Sequence, residues 1–213
     1  MLLATSFRFR RFLFKTLSLF FGLSLLAASI PALHAQAVPA SQRKAEVSAF
    51  ALYSRVTPDY GPTNNNGMTV GFDYTRLTNW WVKPSLELRA KFANGTTADE
   101  KTFGGGIRAV KPMGKFSPYA DFMLSYGSIN LHLQNPPLLA DGTPYTSDTS
   151  IVYSYGGGLD YPLFGNFAAR GDFQYEKWYL DKYTPADYHP LHLSPYSVNF
   201  GVVYRFGYTH RVR

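Results

Sequence analysis

Eleven charged side chains recur on one parity of otherwise apolar, alternating segments: Asp73, Glu87, Arg89, Lys91, Arg108, Asp121, Asp160, Arg170, Asp172, Glu176 and Arg205. Carboxylates interleaved with cations can do three things. A carboxylate pair can exchange protons with a substrate, a lined path can pass ions, or the charges can simply pair with one another. Two glycine triplets, at 104–106 and 156–158, raise a fourth possibility, a phosphate cradle. Neither opens a helix or runs on to the Lys and Ser/Thr of a nucleotide-binding loop, so that reading falls. Glycine in a strand marks instead a bend or the close approach of a bulky neighbour. Gly104, Gly106, Gly156 and Gly158 are expected on the same side as the charges, making room for Arg and Tyr side chains. The chain has no cysteine, which excludes disulfides, thiolate metal sites, a cysteine nucleophile and a lipoprotein anchor.

The elements that must position these charges are strands. One hairpin chemistry occurs twice: Phe103-Gly-Gly-Gly-Ile107-Arg108, a turn at Pro112-Met-Gly114, Phe116 and then Asp121-Phe122; and Tyr155-Gly-Gly-Gly-Leu159-Asp160, a turn at Pro162-Leu-Phe-Gly165, Phe167 and then Asp172-Phe173. In both, the ring and the Asp five residues on point to opposite faces of a strand, because five is an odd step. Trp80 and Glu87 share that parity. Eight alternating segments follow, at 45–56, 67–76, 80–92, 102–111, 116–129, 150–161, 167–178 and 195–206. They predict an all-β fold, an eight-stranded antiparallel up-and-down transmembrane β-barrel with a polar inside and a lipid-facing outside. Short connections at 77–79, 112–115 and 162–166 alternate with long ones at 57–66, 93–101, 130–149 and 179–194, which places the long loops outside the cell and both ends in the periplasm.

The first residues are read as a leader. Arg8, Arg10, Arg11 and Lys15 precede an apolar stretch from Thr16 to Ala28, and small residues follow at Ala32, Ala35 and Ala37, the pattern of a secretory signal cleaved after 35 or 37. The apolar stretch is too short to span a bilayer as a helix, which takes roughly 20 residues. The predicted division is therefore residues 1–37 as signal and 38–213 as barrel with a short polar lead and a C-terminal tail. Removing the leader takes four of the 21 Lys and Arg and none of the 14 Asp and Glu, leaving a mature charge near +3. That balance gives no case for nucleic acid as a partner. The remaining sequence holds no run apolar enough for a membrane helix, and a closed barrel is the other way to satisfy every backbone group in lipid.

The last segment sets the faces. Val198, Phe200, Val202, Tyr204 and Phe206 share one side, assigned to lipid, while Ser197, Asn199, Gly201, Val203 and Arg205 share the other. Extending the phase puts all eleven charges inside. The first strand stays ambiguous, because placing Glu46 inward also turns Phe50 and Leu52 inward. The inside then carries five cations and six anions, close to balance. Eight strands leave an interior that side chains fill, so a structural salt-bridge network is favoured over a narrow or gated ion path, and over acid–base catalysis, for which no cleft or nucleophile is evident.

On strand count, loop asymmetry, inward charges and a terminal aromatic strand, the mature chain resembles the eight-stranded outer-membrane barrels of the OmpA and OmpX type. The resemblance implies a bacterial outer-membrane location and a role in envelope integrity or surface interaction, with no cofactor. It implies outer-membrane lipid and lipopolysaccharide as surroundings, a possible extracellular ligand at the loops, and a monomer. Two departures are expected: Gly207 to Arg213 follow the terminal strand, so that the recognition by the barrel-assembly machinery which the resemblance implies for Val198, Phe200, Val202, Tyr204 and Phe206 would rest on Phe206 or Tyr208 inside a tail, and a peptidoglycan-binding module is not expected. His192-Leu193-Ser194 also looks like the His-x-Ser of outer-membrane lipid A deacylases. That family orients its His with a downstream carboxylate, and here no Asp or Glu follows Ser194, which is followed by Pro195. The chain is therefore not expected to be an enzyme. Tyr60, Tyr145, Trp178, Tyr179, Tyr183 and Tyr188 are expected as an aromatic belt at the headgroup level.

Overall fold

The computed structural model describes residues 44–139, 142–181 and 191–206. The predicted leader, Tyr183, Tyr188, His189 and the tail from Gly207 lie outside the described residues. Nine strands follow in order: β1 (Ala45–Thr57), β2 (Asn65–Arg76), β3 (Lys83–Asn94), β4 (Ala98–Val110), β5 (Ser117–Leu131), β6 (Ser147–Pro162), β7 (Phe167–Leu180), β8 (Leu191–Leu193) and β9 (Tyr196–Phe206). From β1 to β7 each strand pairs antiparallel with the next, β7 pairs with both β8 and β9, and β1 also pairs with β9, Val47 opposite Phe206 and Thr57 opposite Tyr196, which closes the ring. The short β8 is the outer end of the last wall strand. It meets β7 in the register of β9, Trp178 opposite Leu193 and Tyr175 opposite Tyr196. The ladder is interrupted at Pro195, which has no N–H to donate but whose carbonyl accepts from the Glu176 N–H at 2.9 Å. The wall is thus an eight-stranded antiparallel up-and-down barrel.

Its outside is apolar. Phe72, Leu88, Phe103, Ile107 and Phe200 are each between 56% and 66% exposed. A wall of exposed rings and branched chains would aggregate in water and fits a hydrocarbon surrounding. The two repeated hairpins turn at Gly114 (φ 63°) and Gly165 (φ 52°), left-handed positions that a side chain would strain. At the first, Met113 and Phe116 exchange both backbone hydrogen bonds, at 2.6 and 3.0 Å, leaving Gly114 as the first of two central residues.

Three expectations shift. The third strand begins at Lys83, not 80, so Trp80 and Trp81 sit in the turn at 72% and 76% exposure and the parity drawn between Trp80 and Glu87 does not apply. Indoles at that level suit the membrane interface better than a strand position in mid-lipid. The expected long connection at 93–101 shrinks to 95–97, and those at 130–149 and 179–194 give up their ends to β5, β6, β7 and β8. These strand ends stand beyond the lipid, where an outward apolar residue is no longer required, and their polar sequence therefore reads as loop. The first strand does turn Phe50 and Leu52 inward, at 4% and 1% exposure, where they pack with Ala168 and Val203.

Candidate functional site

The inner face of every wall strand contributes to one polar interior. At its middle, Arg170 is held by Asp160 through Nε and Nη2, at 2.7 and 2.9 Å, and donates from Nη2 to Asp73 at 2.8 Å. Arg108 reaches the same two carboxylates, at 2.7 Å to Asp73 and 3.4 Å to Asp160. Arg89 binds Glu87 from Nε at 2.6 Å and places both terminal nitrogens on Asp172 at 3.2 Å. Asp73 and Glu87 are direct cross-strand partners. Two carboxylates side by side repel, and the three guanidinium groups around them offset that repulsion. Rings support the cations from below: the Arg108 guanidinium lies 3.6 Å from the Tyr119 centroid and that of Arg170 lies 4.7 Å from Phe50. Glycines supply the space. A Cβ on Gly158 would come within 2.5 Å of the Tyr119 hydroxyl, and one on Gly71 within 2.5 Å of the Phe50 ring.

Toward the loop end a second cluster forms. Lys91 Nζ donates to Glu176 at 2.6 Å and to Glu100 at 3.3 Å. The Trp178 indole donates to Glu176 at 3.0 Å, and the Tyr60 hydroxyl donates to Glu100 at 2.5 Å while accepting from Asn65 at 2.9 Å. Beside it Ala98, Ile129, Val152, Trp178, Leu180 and Leu193 form a buried apolar cluster on the inner face of β4 to β8. At the periplasmic end Arg205 joins Glu46 at 3.6 Å and Asp160 at 3.9 Å.

All eleven charges named from the sequence therefore face the lumen, and all but Arg205 are buried. The sequence reading misses Glu100, fully buried, because 93–101 reads as loop; its parity with Thr102 and Arg108 was the available signal. It also misses Tyr119, which shares the parity of Asp121. With Glu46 and Glu100 added, carboxylates outnumber cations, and the expected near-balance of charge does not hold among the described residues. Neutral donors make up the shortfall: Tyr119 and Asn199 each donate to Asp172 at 2.7 Å, and Gln174 donates to both oxygens of Asp121 at 2.9 Å.

The aromatic belt expected at the outer loops also divides. Trp178 is 1% exposed and points inward, Tyr145 is 3% exposed and donates to Asp148 at 2.9 Å, and Tyr60 leans into the mouth. A buried carboxylate within reach holds each of them there more firmly than headgroups would. Tyr179 does face outward, stacked edge-on against His192 with centroids 4.9 Å apart. No carboxylate among the described residues touches His192, and the Ser194 N–H is taken by Asp59 at 2.5 Å.

Burial, and then the Glu100 carboxylate, push the Tyr60 phenol above the ordinary tyrosine range. A raised folded value means that this contribution to stability is whole below about pH 10, the unfolded value, and is lost as pH rises beyond it. Tyr60→Phe is expected to lower unfolding free energy by about 1–3 kcal/mol at neutral pH, since Glu100 loses a donor where it is buried. It is also expected to flatten the decline between pH 9 and 11. Urea midpoints of the two proteins in lipid vesicles check both; parallel declines would show that Tyr60 ionises freely.

The interior leaves little room. A vestibule of about 190 Å³ opens at the periplasmic end, bordered by Lys83, Lys115, Glu46 and Arg205, and ends against Asp73, Arg108 and Arg170. Between the two ion clusters, among Arg89, Lys91, Gln174 and Asn199, the free space is about 10 Å³, the scale of one water.

A family model for the outer membrane protein β-barrel domain matches residues 22–206. No curated protein matches the chain. Among solved structures, Neisserial surface protein A is 16% identical over 77% of this chain and 98% of its own, with a TM-score of 0.48. Ail, the attachment invasion locus protein of Yersinia pestis, is 19% identical over 76% and 97%, also at 0.48. The N-terminal β-barrel domain of Pseudomonas aeruginosa OprF is 15% identical over 75% and 97%, at 0.44. With its closed ring of strands, its apolar wall and a family match that spans most of its length, the chain belongs to the outer membrane protein β-barrel domain family and is a protein of the bacterial outer membrane.

Proposed function

We propose that this protein is a non-catalytic, monomeric barrel whose plugged lumen holds a rigid frame for extracellular loops, and that it serves envelope integrity or surface interaction. The observation that carries this reading is the filled interior: two ion clusters separated by about 10 Å³ of free space, with a buried apolar cluster beside the second of them. Hydrogen-bonded ion pairs that span the lumen tie strands far apart in the chain, such as β3 to β7 through Arg89 and Asp172, and stiffen the wall that carries the loops. The mature protein would begin after residue 35 or 37. The outward set Val198, Phe200, Val202, Tyr204 and Phe206 would present the terminal strand to the barrel-assembly machinery.

In planar bilayers the purified barrel is expected to show no steady conductance, because any ion would have to displace paired charges along its path. A steady conductance abolished by Arg108→Ala or Asp172→Ala would replace this reading with the narrow-channel one. The same reading is tested in cells: a deletion strain's detergent sensitivity, restored by wild type and by a variant shortened at 132–146, assigns the protein to envelope integrity. Restoration by wild type alone assigns the loops a binding role. Lipid A acyl chains lost with wild type but kept with His192→Ala would overturn the non-catalytic assignment.

A further inference from the structure

The lipid-facing wall is not uniform. Pro84, Ala109, Ala120 and Gly157 are cross-strand partners in one row over β3, β4, β5 and β6, and all four face outward. The next outward row toward the membrane centre runs Leu86, Ile107, Phe122 and Tyr155, every one of them large. Small residues beside a row of large ones make a trough. It has a volume of about 660 Å³, floored by Pro84, Ala109 and Ala120 and walled by Tyr74, Leu86, Ile107 and Phe122. That volume lies in the range of sites that hold one ligand.

The trough ends at the periplasmic turns with Arg76 and the Trp80 indole in its lining. Beside it Lys111 Nζ sits 5.2 Å above the Trp81 ring. Among the described residues no carboxylate faces outward on this half of the barrel. Glu46, Asp73, Glu87, Asp121, Asp160 and Asp172 all face the lumen. The outside is therefore apolar along the trough and cationic at its end, a match in shape and charge for an acyl chain tied to a phosphate.

We propose that the trough over Ala109 and Ala120 binds an anionic glycerophospholipid of the periplasmic leaflet, one acyl chain lying across the small residues and the phosphate held by Arg76 with Lys111 nearby. A lipid lodged there differs from the rest of the lipid around the barrel in being selected by headgroup and in occupying a defined site.

The test uses the full mature protein in vesicles, with Trp81→Phe so that Trp80 is the indole at the trough; Trp178 points into the lumen. Phosphatidylglycerol and phosphatidylcholine, each with brominated chains, quench Trp80 fluorescence in competition. The expected result is a preference for phosphatidylglycerol of roughly fivefold, the size one interfacial cation supplies. The preference should vanish in Arg76→Gln and equally in Ala120→Leu, which fills the floor. Ala109→Leu fills the same floor should Ala120→Leu fail to fold, as judged by the heat-dependent shift on a gel. Equal quenching by the two lipids overturns the proposal. So does a preference that Ala120→Leu leaves intact, since a bare surface charge would then explain it without a trough.

Discussion

Arg170→Met is expected to be the most damaging single change in the lumen, lowering unfolding free energy by about 3–5 kcal/mol. Arg170 is 1% exposed and holds Asp160 with two nitrogens and Asp73 with one. Without it, two buried carboxylates share Arg108, and Arg205 is 3.9 Å away from one of them. Removing one member of a buried ionic group costs more than the group contributes as a whole, because the remaining charge stays desolvated and unmatched. Urea unfolding in lipid vesicles, followed by tryptophan emission, measures the loss. The double variant Arg170→Met with Asp160→Asn is expected to recover part of it, since the second change removes one orphaned charge. An unchanged midpoint in the single variant would mean that Arg108 and Arg205 suffice and that the network is not cooperative.

Leu88→Arg is the corresponding change on the other side of the same wall. Leu88 stands mid-strand in β3 at 57% exposure, between the fully inward Glu87 and Arg89. A guanidinium there must enter hydrocarbon, and the cost at the bilayer midplane of a barrel is about 2–4 kcal/mol, against 0–1 near the interfaces. The same substitution at Met68, nearer the loop end and 50% exposed, is therefore expected to cost far less. Urea midpoints for the pair check the depth dependence. Equal costs at both positions would contradict a lipid-facing assignment for Leu88. The prediction turns on one residue of register, because a strand shifted by one would put Leu88 in the lumen beside the cations.

Parity made both of these positions readable in the chain alone. Asp172 and Phe173, or Glu87 and Leu88, are neighbours with opposite needs, and only a strand with water-like polarity on one side and lipid on the other satisfies both. The repeated Gly-Gly-Gly hairpins with Pro and Gly at their turns marked where the wall reverses, and Gly114 and Gly165 carry the left-handed angles those turns use. The eleven inward charges followed from the same alternation.

Alternation fades where lipid ends. Beyond the membrane a strand can be polar on both faces, so the outer ends of β4, β5 and β6 looked like loop, and Glu100 and Asp148 were hidden with them; Trp178 stands inside the expected strand with the inward parity of Glu176, but an indole that close to the loops reads as belt. Which carboxylate takes which cation was equally closed to sequence. Arg89 and Asp172 are 83 residues apart and meet only because the barrel closes, Val47 against Phe206, and brings β3 and β7 to face each other across the lumen. The neutral donors that offset the excess of acid, Tyr119, Gln174 and Asn199, have roles that depend on depth along the barrel as well as on side. The trough over Ala109 and Ala120 depends on register in the same way, since small residues on four strands form a row only once hydrogen bonding aligns them. What the amino-acid order determined by itself was therefore the side each residue takes, a local consequence of the two-residue period. What tertiary structure decided was the height and the partner of each residue, because both are properties of how separate strands align.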